Sequence, residues 1–525
     1  MITTPRSKST KQECSPLFQG TLLFFALILA SLFLRILYMG SNDLIVEEAY
    51  YWNYSQHLDF GYLDHPPMVA LLIKLFTSIF GTNEFAVRLP ALIGWIFTAF
   101  FSFKLTNTIH RGAGLYAVVL LSILPFFFLH SFIMTPDQPM ILCWAAVLYY
   151  LYQALILNKP HAWYIAGIWI GLGMLAKYTI LLLAPVTLLY VCIQPKARSW
   201  LTRKEPYLAA LISLIIFSPV IYWNATHEWA SFIFQSSRRL HQSFHFSLHH
   251  LIGLLIFFVT PLGLIESWPL FKKSDTELSL ETQRFLQIFT AVPLIIFGIF
   301  SLYHAIKFNW IGPGLLALIP WIAIRIQQSA DKSSYKNIWF VSGAGLLFSY
   351  TVVMCTIIVN APTIMSQKIF GKFIAWDALI QEFNTVAQQV EAYTYTTPIF
   401  APLDRYNIAS ELSFYQTKLL TQKRISEIYP VIGRHIFGSK SLMYQYWTHE
   451  TYHPKQTYIL ISNNITSFKK PGLRSRILHE SPINKIWSHS QGRMTPTQPY
   501  YYQVVQLKKP NIFLTLFPGV HTVSG

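Results

Sequence analysis

The chain has 525 residues, of which 53% are hydrophobic and only 12% charged, about half the charged share of an ordinary soluble domain. The mean hydropathy of +0.39 averages two unlike parts: residues 1–360 are dominated by long apolar runs, while 361–525 have a polar, tyrosine-rich make-up. The formal charge of +17 is scattered through short loops rather than gathered on a stripe, which argues against a nucleic-acid partner and for membrane lipid.

The amino-terminal stretch carries Arg6, Lys8 and Lys11 ahead of an apolar run, 17–39, that is long enough to span a bilayer and lacks a small-residue cleavage site. It predicts a first transmembrane helix. Ten further runs follow, near 86–103, 113–131, 138–157, 162–176, 179–193, 207–223, 251–270, 286–303, 311–326 and 337–360, giving about eleven spans. With the amino terminus inside, alternate loops collect lysine and arginine: Lys104 and Arg111, Lys159, Lys196 to Lys204, Lys272 to Arg284, Arg325 to Lys336. That bias predicts a cytoplasmic amino terminus and an extracytoplasmic carboxy-terminal domain. Residues 1–360 are expected to form the transmembrane domain and 361–525 a soluble α/β domain.

The first outside loop, 40–85, is too long for a simple connection. Glu47–Leu58 and Pro67–Phe80 have helical periodicity and one apolar face, predicting amphipathic helices in the membrane interface. Between them, Asp59–Pro67 is turn-rich. In the last third, 376–393 and 408–418 read as helices, and 397–402, 456–462 and 500–508 as strands. Its basic groups, among them Lys469, Lys470, Arg474 and Arg476, form either a solvated face near anionic lipid or a seat for an acidic acceptor.

Acidic side chains are rare, so their placement carries information. Asp43, Glu47, Glu48, Asp59 and Asp64 lie between Arg35 and Lys74 without an intervening cation. They read as a water-facing acidic loop, or as a source of a proton acceptor, since Glu47 and Glu48 open a helix whose dipole keeps carboxylates ionised. Asp137, in Thr135-Pro136-Asp137-Gln138-Pro139, sits between two spans on the same side, as a helix cap or as a second acid of a site. Arg88, Lys177, Arg238, Arg239 and Lys307 approach that side from distant parts of the sequence. Singly they suit snorkelling toward headgroups; together they suit convergent binding of a phosphate. His241, His245 and His249 repeat at a spacing of four, the one place where a divalent metal merits thought, but no H-E-x-x-H pattern accompanies them. No cofactor is expected, and the four cysteines form no metal spacing or disulfide framework.

Glu47-Glu48-Ala49-Tyr50-Tyr51-Trp52, Gly61-Tyr62-Leu63-Asp64-His65-Pro66-Pro67-Met68 and Glu84-Phe85-Ala86-Val87-Arg88-Leu89-Pro90 resemble the first outside loop of GT-C glycosyltransferases. The nearest branch holds the bacterial aminoarabinose transferases and the dolichyl-phosphate-mannose protein mannosyltransferase-like proteins. The segment around Asp137, Ser218–Asn224, Lys307–Pro313 and, in the last third, Asp404–Tyr406 and Ala409–Leu412 are similar to later family blocks.

The resemblance implies a polyprenyl-phosphate-linked sugar donor, an envelope acceptor (lipid A, polysaccharide, another lipid or protein) and a catalytic carboxylate from the first-loop pair. Glu47 stands where the family usually has Asp. On this reading Glu47 is the general base, assisted by Glu48 and Asp137; Arg88, Lys177, Lys307 and His65 hold the leaving phosphate; Tyr50, Tyr51, Tyr62 and Trp310 are sugar-contact candidates. A flippase for a lipid-linked sugar is the alternative, although such transporters place more polar groups at the bilayer midplane.

Overall fold

The computed structural model describes residues 16–240, 244–272, 278–328, 333–359, 375–448, 456–489 and 496–508. The protein is a multi-pass membrane protein. The helices run α1 (Pro16–Met39), α2 (Val46–Gln56), α3 (Met68–Phe80), α4 (Glu84–Ile109), α5 (Gly114–Ile123), α6 (Pro125–Leu129), α7 (Asp137–Leu155), α8 (His161–Ala176), α9 (Leu183–Ile193), α10 (Lys204–Thr226), α11 (Ala230–Leu240), α12 (Leu248–Ser267), α13 (Leu280–Ser301), α14 (Ile319–Gln328) and α15 (Ser333–Val359).

All eleven apolar runs fall on helical segments, and six of the described helices are long and apolar enough to cross a membrane: α1, α4, α10, α12, α13 and α15. The run at 179–193 continues past Ile193 into a turn bent by 117°. The remaining runs are shorter, broken or less apolar. Leu124-Pro125 splits the run at 113–131 into α5 and α6 because proline removes a helical donor and restricts the residue before it.

Beyond the membrane helices lie α16 (Trp376–Thr394), α17 (Asn407–Thr421) and a five-stranded sheet: β1 (Ile399–Pro402), β2 (Thr457–Ser462), β3 (Ile477–Glu480), β4 (Asn484–His489) and β5 (Pro496–Leu507). The strand order is β1-β2-β5-β3, with β4 also pairing with β5. β1 and β2 are parallel, and β5 is antiparallel to β2, β3 and β4. β2 is buried at every position, as its unbroken apolar run requires for a strand covered on both faces.

The first-loop helices behave differently from each other. α3 keeps Leu71, Leu75, Ile79 and Phe80 exposed, the face expected of an interfacial helix. α2 does not lie on the interface: Glu48 through Ser55 are all buried. Its cover is α17, and one apolar core joins Tyr50, Trp52, Tyr54 and Tyr62 of the loop to Ile408, Leu412, Phe414 and Tyr415 of α17. Polar contacts fix the register. The Leu44 N–H donates to the Tyr415 hydroxyl (2.8 Å), and the Asn53 amide donates to the Ser410 carbonyl (3.2 Å).

Candidate functional site

Helix α2 begins with the two acids, and the structure separates them. Glu48 is sealed, with no exposed surface. Its Oε1 accepts from Arg88 Nε (3.0 Å) and the Met134 N–H (3.0 Å); Oε2 accepts from Arg88 Nη2 (2.8 Å) and the Ile45 N–H (3.1 Å). Arg88 is equally enclosed. Besides Glu48, its Nη1 donates to the Met39 and Asn42 carbonyls (3.1 and 2.8 Å) and its Nη2 to the Asp43 carbonyl (2.8 Å). A guanidinium has five N–H donors, and all five are spent here. Arg88 therefore has no donor left for a phosphate, and Glu48 no lone pair free for a substrate proton. The pair fastens the loop after α1, helix α2 and helix α4 to one another.

Glu47 is one residue earlier and exposed. Its charge reaches the Tyr51 phenol, which burial, then Asp64 and Asp137, and more weakly Glu47, push well above its usual range. Tyr51 thus marks the place where acids from two loops converge. Asp64, buried, accepts hydrogen bonds from the Tyr50 and Tyr54 hydroxyls. Asp137, at the start of α7, is 3% exposed; its Oδ1 faces Lys177 Nζ at 2.5 Å and its Oδ2 accepts from the Asn309 amide at 2.6 Å.

Lys177 caps the end of α8 and lines a cavity of about 590 Å³. His65, Gln235, His304 and Trp310 supply other polar lining, while Leu181, Ile296 and Phe300 belong to its apolar lining. Leu181, Ile296 and Ile299 are also solvent-accessible on the helix surface, so the cavity opens through apolar flanks of the kind that face hydrocarbon. His65 further meets the Tyr51 ring edge-on at 5.7 Å between centroids. The cavity thereby adjoins the acid cluster through His65 and Lys177.

The other expected contacts are distributed unevenly. Lys307 is exposed, beside the Asn309–Trp310 segment. Tyr50 and Tyr62 are core pillars rather than sugar platforms: Tyr62, with no exposed surface, donates to the Tyr54 and His57 carbonyls, and the Tyr50 hydroxyl accepts from the Met443 N–H. Tyr51 keeps 7% exposure, and Trp310 is half-buried on the cavity wall. The side chains of Arg238 and Arg239, and all of His241, lie outside the described residues. His245 is in an extended segment whose N–H donates to the Tyr303 carbonyl, and His249 is on α12, so these two do not share one helical face.

Asp43, Glu84 and Asp377 bring carboxylate oxygens within 4.8 Å of one another. Lys418 occupies that group, at 2.6 Å from Glu84 and 3.1 Å from Asp377, and Arg424 pairs with Asp377 at 2.6 Å. Glu84 and Asp377 are therefore already met by side-chain cations, and Asp43 accepts from the Trp376 N–H.

Reading the sequence singled out Asp137 but not its partner Asn309, although Asn309 stood inside the Lys307–Pro313 block. Their separation of 172 residues explains why spacing gave no hint. The turn of the first loop has a similar long-range anchor: Trp223, at the end of α10, donates from Nε1 to Asp59 Oδ2 at 2.8 Å. Gly61 suits the close approach there, because a Cβ would stand 3.0 Å from the Trp223 ring.

Comparison with known proteins gives a concordant picture. Residues 64–223 match the family model described as dolichyl-phosphate-mannose-protein mannosyltransferase. The chain is 27% identical over 198 residues to the lipid A galacturonosyltransferase RgtD of Rhizobium johnstonii, an alignment spanning 37% of this chain and 41% of that protein. Over 93% of its length the chain superposes on 98% of ArnT from Cupriavidus metallidurans, with a TM-score of 0.61 and 12% identity for the apo structure. For the structure of the same protein bound to undecaprenyl phosphate, with the same coverage, the values are 0.59 and 11%. In fold the chain is like ArnT.

Proposed function

We propose that this GT-C membrane protein is a glycosyltransferase that moves a sugar from a polyprenyl-phosphate carrier to a hydroxyl of an envelope acceptor. The observation that carries the reading is the exposed acid Glu47, one helical turn before Tyr51 on α2, whose ring meets His65 beside an apolar-flanked cavity lined by Lys177 and His65. The relatives support it: one acts on lipid A, and one was solved with undecaprenyl phosphate. An envelope glycolipid such as lipid A is accordingly the acceptor to test first.

The carrier chain occupies the cavity and its phosphate lies near Lys177 and His65, with Lys307 at the rim. Asp137 and Asn309 hold Lys177 in place rather than taking a proton themselves, since both Asp137 oxygens are engaged. The acceptor oxygen attacks the anomeric carbon as the bond to the phosphate oxygen breaks. Glu47 takes the acceptor proton, and the polyprenyl phosphate leaves with its charge offset by Lys177. A single displacement inverts the anomeric centre. Tyr51 and Trp310 flank the space left for the sugar. The chemistry calls for no cofactor. The site faces the extracytoplasmic side of a bacterial inner membrane, with the amino terminus in the cytoplasm.

The test uses purified full-length protein with undecaprenyl-phosphate-linked sugars and lipid A, with product detected by mass spectrometry. Glu47→Gln is expected to lose roughly 10²–10⁴-fold in turnover while still binding the carrier lipid. Wild-type turnover in that variant, or no product from wild type with any lipid-linked sugar, removes the proposal. Product yield unchanged by EDTA is expected; loss that divalent metal restores would refute the cofactor-free chemistry.

A further inference from the structure

The carboxyl of Glu411 is the one buried acid in the described residues with no hydrogen-bond partner on either oxygen. It projects from α17, has no exposed surface, and sits where that helix covers α2. The charges that act on it most strongly are those of Asp43 before α2, Glu48 and Glu47 on α2, and Glu84 on α4, all of one sign. The cations in reach are already committed, Arg88 to Glu48 and Lys418 to Glu84 and Asp377. The polar groups facing it from its own helix, from the 444–447 turn and from β5 are the phenols of Tyr415, Tyr444 and Tyr500.

A charged carboxylate enclosed without a donor is costly enough that such a group normally takes up a proton instead. Burial, together with the charges of Asp43, Glu48, Glu47 and Glu84, holds Glu411 well above the ordinary carboxylate range. Its ionisation would place a fifth negative charge against the helix that presents Glu47.

We propose that Glu411 is a proton-linked positioning residue: uncharged, it lets α17 seat on α2 and so fixes Glu47, and on ionising it loosens that seat. The link to Glu47 rests on the proposed function, whereas the seating does not. The direction follows from linkage. The unfolded chain releases this proton near pH ~4.3, while the folded chain keeps it. Stability therefore falls with rising pH across the interval between the two values. Asp43, held up to about 7 by burial and by Glu84 and Asp377, contributes below neutrality, so the Glu411 contribution is read above pH 7.

The experiment is thermal unfolding of the full chain in detergent between pH 7 and 9, for wild type, Glu411→Gln and Glu411→Met. Wild type is expected to lose on the order of 2 °C more per pH unit than either variant. Both variants should fold, because neither oxygen has a hydrogen bond to lose. Equal slopes in all three proteins, or destabilisation of both variants at pH 7, would overturn the proposal. If the protein proves to lack transferase activity, these melting slopes still decide the seating. If it is active, the alkaline limb of the rate profile should move to higher pH in Glu411→Gln with KM for the carrier lipid unchanged, and an unmoved limb refutes the link to Glu47.

Discussion

Replacing Arg88 by Met separates the phosphate-binding role that the sequence suggested from the structural role that its contacts give it. A phosphate ligand, when removed, weakens carrier-lipid binding and spares the fold. The structure requires the opposite. Arg88→Met strips Glu48 of its only cation among the described residues and leaves the Met39, Asn42 and Asp43 carbonyls without their Arg88 donor. Breaking a buried ion pair from one side costs about 3–5 kcal/mol, and each orphaned carbonyl adds up to ~1–3 kcal/mol less whatever relaxation recovers. A fall in Tm on the order of 10 °C is expected. The double variant Arg88→Met with Glu48→Met should recover part of this by removing the unpaired charge. It should not recover all of it, since the Met134 and Ile45 N–H groups then lose their acceptor. The assay is detergent-solubilised thermal unfolding alongside equilibrium binding of undecaprenyl phosphate. An Arg88→Met protein that melts within 1–2 °C of wild type, roughly the scatter of a surface substitution, but binds carrier lipid poorly would refute the structural assignment.

Three further outcomes follow from the same contacts. Asn309→Ala should lower transfer by about tenfold, because one of two restraints on Asp137 is lost, while Asn309→Asp, which sets two carboxylates together, should be worse; steady-state rates compare them, and equal activity in both removes the positioning role. Asp43→Asn keeps an acceptor for the Trp376 N–H but cannot ionise. Wild-type Tm should fall as pH rises toward about 7, where folded Asp43 gives up the proton the unfolded chain lost near ~3.9, and the variant should be flatter over that interval; parallel melting curves would contradict this. Trp223→Phe retains the aromatic packing and forfeits the bond to Asp59, a loss of about 0.5–1.5 kcal/mol measurable by denaturant unfolding.

The membrane part was legible because each crossing needs its own apolar run, and that information is local. The long-range arrangement was not. Periodicity over 47–58 correctly gives a helix, yet the same pattern serves an interfacial helix and one enclosed by a partner, and α17 lies 357 residues away at the Asn53–Ser410 contact. Choosing between Glu47 and Glu48 needed Arg88, forty residues on, to be seen closing over only one of them. Tyr62 was named for its ring, but its hydroxyl serves backbone carbonyls. In the last third, β1, β2 and β5 carry enough apolar residues to be recognised. β3 and β4 do not: they are largely exposed, and residues such as His479, Glu480, Asn484 and Lys485 give them the look of loops.

The enclosure of α2 by α17 also bears on biosynthesis. The segment Val46–Gln56 emerges early, whereas its cover, Asn407–Thr421, is made some 350 residues later. At ~5–20 residues per second of synthesis, the tyrosine- and tryptophan-rich helix waits roughly 20–70 s with an apolar flank uncovered. Any truncation that stops before residue 407 leaves it so permanently, which makes the nascent chain, rather than the finished protein, the stage most open to aggregation and to capture by chaperones.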